Sequence, residues 1–117
     1  MQIFQLWQIY IDSVNSLLKV THTPSLQDRI IQAAADMANI SPPLEALMFG
    51  IYSMAVTSLS PEDCLARFGA SKDELLRRYH LGSQQALANC GFLRTNDRDC
   101  LTAFYLYIVS RRILHPS

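Results

Sequence analysis

Ser41-Pro42-Pro43-Leu44-Glu45-Ala46-Leu47-Met48-Phe49-Gly50-Ile51-Tyr52-Ser53-Met54-Ala55-Val56-Thr57-Ser58 is the stretch on which the fold turns. Ser41 supplies a capping hydroxyl, the two prolines suit a first helical turn, and Glu45 is the only charge from Leu44 to about Ser58. At 100° per residue its apolar side chains surround the axis, so this helix has to be central. Helices of ordinary amphipathic character should pack around it.

Working outward, Ile3 to Lys19 reads as one helix, with Ile3, Leu6, Trp7, Tyr10, Ile11, Val14, Leu17 and Leu18 on one side. Thr23 offers an N-cap and Pro24 a first position for a second helix whose stripe is Leu26, Ile30, Ala33 and Met37, ending near Asn39. Ser60-Pro61-Glu62-Asp63 opens a short helix that Phe68-Gly69 closes. Ser71-Lys72-Asp73-Glu74 is a capping box for a fifth helix, which buries Leu75, Leu76, Tyr79, Ala86, Leu87 and Cys90 and stops at Gly91. The last helix runs from about Asp97 to Ile113, and no charge interrupts Ala103 to Val109. The expected fold is all-α: about six helices of unequal length in an irregular single domain over 1–117, not a simple four-helix bundle.

The chain has 117 residues, ten basic and ten acidic, with 50% hydrophobic and 17% charged residues and three cysteines. The charged fraction falls below the roughly 25% of an average soluble domain. With two helices apolar on every side, a chain of this size lacks enough of its own surface to cover both. A missing partner surface follows, supplied by a homodimer, by another protein or by the remainder of a larger helical domain. The odd cysteine count without C-x-x-C spacing points away from a disulfide scaffold and a structural zinc site, and an intracellular setting is expected. No metal or cofactor is expected. Zero net charge removes the electrostatic footprint of direct nucleic-acid contact. The opening residues lack a basic signal-peptide region, and the apolar runs are too short for a membrane span.

Leu6-Trp7-Gln8-Ile9-Tyr10, Val14-Asn15, Leu18-Lys19-Val20 and His22-Thr23-Pro24 are followed by Leu44-Glu45-Ala46-Leu47-Met48-Phe49 and Ile51-Tyr52-Ser53. Then come Ala55-Val56, Ser58-Leu59-Ser60, Glu62, Cys64, Phe68-Gly69, Leu75-Leu76, Arg78-Tyr79, Ala86-Leu87, Phe92-Leu93 and Thr95. In order and spacing, from about Gln5 to Arg111, these resemble the opening of the middle homology region of fungal binuclear zinc cluster transcription factors. The six-cysteine cluster of that family is absent, since Cys64, Cys90 and Cys100 have the wrong spacing. The family domain also continues well past the length present here. The resemblance implies a nuclear regulatory region that holds a regulator inactive or dimeric and passes on the signal of a partner or metabolite.

The turn before the fifth helix has the look of a helix-turn-helix, but Asp73 and Glu74 stand where phosphates would repel them, so base readout is not expected. Histidines, cysteines and acids are scattered, and spacing alone pairs no nucleophile with a base. The leading reading is therefore non-enzymatic: protein association, with Phe49, Tyr52, Val56, Phe104, Tyr107 and Ile108 as interface or ligand candidates on the two apolar helices. The alternative is a small ligand-binding protein or enzyme of secondary metabolism, derived from such a regulator and acting on a hydrophobic small molecule. There His22, Tyr79 or His80 would move protons. Tyr79 continues the apolar stripe of its helix, which makes His80 a boundary residue.

Overall fold

The central helix owes its start to the chemistry of its first turn. In the computed structural model, which describes residues 2–15, 23–91 and 97–114, Ser41 Oγ accepts from Leu44 N at 3.4 Å and prolines occupy the first turn. Six α-helices and no strand are found among the described residues. They are α1 (Gln2–Ile9), α2 (Thr23–Ala35), α3 (Pro42–Thr57), α4 (Pro61–Phe68), α5 (Lys72–Asn89) and α6 (Arg98–Leu114).

The α3 helix is central: α6, α5 and α1 all pack on it. Its buried residues, among them Leu44, Leu47, Met48, Ile51, Met54, Ala55 and Val56, account for the all-round apolarity of the sequence. Two close approaches bring its neighbours in. A Cβ built on Gly50 would lie 3.2 Å from Leu106 Cβ, so the backbones of α3 and α6 nearly touch. One built on Gly82 of α5 would lie 2.5 Å from the ring of Phe49. The far end of α3 is closed from outside, where Lys72 Nζ donates to the carbonyls of Thr57 at 3.1 Å and Leu59 at 2.7 Å. A cation there satisfies orphan acceptors and opposes the negative end of the dipole.

The remaining caps follow the expected chemistry. Ser60 Oγ accepts from Asp63 N, Ser71 Oγ from Glu74 N, and Asp97 Oδ1 from the amides of Asp99 and Cys100. Gly69 ends α4 at φ 66, a left-handed conformation that glycine adopts without strain. Arg29 of α2 grips the Asp99 carboxylate with both Nη atoms, which ties α2 to the start of α6.

Two boundaries differ from the sequence reading. The first helix is α-helical only to Ile9 and continues as a π-helix over Tyr10–Asn15; Leu17, Leu18 and Lys19 lie outside the described residues. Ile9, three residues after Leu6 on the α-helical part, is buried along with Leu6, Trp7, Tyr10 and Val14. The second helix ends at Ala35, and a 3-10 turn, Met37–Asn39, follows the extended Asp36. That break removes Met37 from the stripe of Leu26, Ile30 and Ala33 and leaves it 56% exposed.

Candidate functional site

The α5 helix lies against both α3 and α6, and this sets the orientation of its polar residues. A helix seated between two neighbours buries a wider arc than one packed on a single surface, so residues 100° apart both face protein. Tyr79 turns to α3, where its ring lies 5.4 Å from that of Tyr52, and Tyr52 meets Phe49 edge-on at 5.9 Å. His80 turns to α6. It is only 5% exposed, with Nε2 2.9 Å from Ser110 Oγ and its ring edge-on to Tyr107 at 5.7 Å. The boundary position expected of His80 is thus corrected, because a second helix covers it. Tyr79 and His80 face different partners, and His22 lies outside the described residues.

His80 forms part of the wall of a cleft of about 380 Å³ between α5 and α6. Asp73, Leu76, Arg77, Leu81, Gln84 and Arg111 complete the lining. Behind it stands Tyr107, whose hydroxyl accepts from Gln84 Nε2 at 2.7 Å and whose ring carries the Arg111 guanidinium at 5.9 Å. Tyr107, a candidate interface residue, is therefore half-buried and engaged within the chain.

The other interface candidates divide between core and surface. Val56 is wholly buried and presents no surface to a partner. Phe49, Tyr52 and Phe104 are half-buried against the core, and Ile108 is 42% exposed. Leu101 and Tyr105, 46% and 45% exposed, share the outward side of α6 with Ile108, opposite the buried Cys100, Ala103, Leu106 and Ser110. Sequence reasoning named Ile108 of this row as an interface candidate but neither Leu101 nor Tyr105, because Leu101 precedes the uncharged run Ala103 to Val109 and no charge within that run marks its outward side. Counting from the small residue Ala103 as the packed position would have separated the two sides.

Burial raises the titration of several neutral acids. Cys100 is pushed up to about 12 from an ordinary 9.0, first by burial and then by the adjacent Cys90 thiol. Tyr52, Tyr79 and Cys64 are raised mainly by burial as well. These groups stay protonated in the folded chain above the pH at which the unfolded chain ionises them. Their contribution to stability is complete below about pH 9 and is lost as the pH rises toward 12. Cys100 alone should cost about 2 kcal/mol by about pH 10.5. Urea unfolding at about pH 8 and pH 10.5 checks this, and Cys100→Ala should flatten the pH dependence.

The sequence itself carries a further signal. Over 110 residues the chain is 61% identical to the transcriptional regulator AacuB of Aspergillus aculeatus. It is 40% identical over 109 residues to the aurofusarin cluster transcription factor aurR2 of Gibberella zeae. With the C6 finger domain transcription factor adaR of Aspergillus niger it shares 33% over 110 residues. The chain is homologous to a segment of fungal C6 zinc cluster transcription factors. These matches take in 92 to 94% of the chain but only 14 to 16% of each relative. No protein-family model and no solved structure matches it. Among the described residues no three His, Cys, Asp or Glu side chains gather into a metal-binding group, and no helix is long and apolar enough to cross a membrane.

Proposed function

We propose that the chain is a regulatory association region of a fungal transcription regulator, corresponding to the opening of the middle homology region and acting in the nucleus. It serves to hold the regulator in a dimeric or inactive state. The exposed row Leu101, Tyr105 and Ile108 on α6 carries this reading, because three large apolar side chains on one side of a helix favour a protein surface over water. A second copy of the chain, meeting the row about a two-fold axis, would bury it symmetrically. Homology to regulators over nearly the whole chain supports a regulatory setting for that contact.

The test is the association state. Light scattering after gel filtration should show the chain as a dimer and Ile108→Lys as a monomer, with unchanged helicity by circular dichroism. Ile108 suits the purpose better than Tyr107, because Tyr107 also holds Gln84 and Arg111. An Ile108→Lys variant with the mass of the parent would remove this face from the proposal.

A further inference from the structure

The cleft between α5 and α6 is not used by the association face. Arg77, one turn into α5, and Arg111, in the last turn of α6, come from different helices to the same lining. Two arginines have acids: Arg29 grips Asp99, and Arg78 lies 3.9 Å from Glu74. Among the described residues neither Arg77 nor Arg111 has a carboxylate within 4 Å. Asp73 shares the lining and stands four residues before Arg77, the spacing at which Glu74 meets Arg78, yet it makes no such pair.

We infer that this cleft binds a small organic acid, with its carboxylate between Arg77 and Arg111 and its apolar body against Leu76 and Leu81. The charge of the lining sets the valence. Two guanidiniums and the Asp73 carboxylate leave one positive charge in the lining, which a single carboxylate cancels. Size restricts the ligand too, because about 380 Å³ is near the lower end of small-molecule sites. Much of the arrangement is already ordered. Tyr107 touches His80 and supports Arg111, while Gln84 holds the Tyr107 hydroxyl, so less freedom is lost on binding. Guanidinium forks match a carboxylate in plane and spacing. Leu76 is buried at the floor and Leu81 is exposed at the rim, which gives an apolar body contact at both depths.

The experiment is an NMR titration of the labelled chain with benzoate, with benzamide as the neutral isostere and inorganic phosphate as an anion lacking an apolar body. Benzoate should give saturable shifts of the His80 and Tyr107 ring signals at millimolar concentration, benzamide none, and phosphate binding at least about tenfold weaker. Arg77→Gln and Arg111→Gln should each weaken benzoate about tenfold, the loss expected for one charge-assisted contact, at an unchanged melting temperature. Arg98→Gln, exposed at the start of α6, should leave binding intact. Equal binding of benzamide, equal binding of phosphate or failure of benzoate to saturate would each overturn the inference. Ile108→Lys should still bind benzoate, so failure of the association reading would leave this one standing.

Discussion

Gly50→Leu is expected to lose about 3 kcal/mol or more of stability, because it places a branched side chain where two backbones nearly touch. A Cβ on Gly50 already lies 3.2 Å from Leu106 Cβ and 3.4 Å from the Ala103 carbonyl oxygen, and neither atom is the free end of a flexible chain. The remaining carbons of leucine fit only if α6 moves away from α3, which opens the contact around the fully buried Leu106. Gly50→Ala separates this from helix propensity. Alanine gains about 1 kcal/mol in a helix interior, which offsets part of the tighter contact. Its stability should therefore fall close to that of the parent. Urea unfolding of the three proteins, followed by circular dichroism, checks the order; a Gly50→Leu midpoint equal to that of Gly50→Ala would show that the helices separate freely.

Tyr10→Ala should cost about 3–5 kcal/mol, the range for deleting a buried aromatic ring. Tyr10 is fully buried, stacks on Trp7 at 6.0 Å and stands at the first position of the π-helix. Its removal leaves a void between α1 and α3 that small side-chain shifts cannot fill. Tyr10→Phe keeps the ring, so it should lose no more than about 1.5 kcal/mol, the upper worth of an ordinary hydrogen bond. Trp7 is the single tryptophan of the chain, which gives a local signal beside the global one. In Tyr10→Ala its emission should shift to the red at lower urea than the loss of helicity, because α1 is held mainly by its contacts with α3. Coincident transitions would instead place Tyr10 in the same cooperative unit as the rest.

Much of the architecture could be read locally. Ser41, Ser60, Ser71 and Asp97 cap the helices they precede, and Gly69 ends one, because capping depends on a side chain and a backbone amide only a few residues apart. The central place of α3 was equally legible, since a helix without a polar side has no stable position at the surface. Less of the candidate site could be read. His80 was expected at a boundary because periodicity assigns one buried face to a helix, and nothing in the stripe of α5 shows that α6 covers the next face. Arg77 and Arg111 are 34 positions apart along the chain, and no charge from Ala103 to Val109 marks the outward side of α6.

From its residues alone, then, the chain specifies which segments are helices, where the capped ones start, and which one lies innermost. Those properties follow from interactions within a turn or two and from the balance of apolar side chains around one axis. Tertiary structure alone decided that Tyr79 and His80 face different helices, that Val56 is core while Leu101, Tyr105 and Ile108 remain outside, and that two arginines share a cleft with His80. The physical reason is that helix crossings, set here by close approach at Gly50 and Gly82, bring together residues that no local interaction relates.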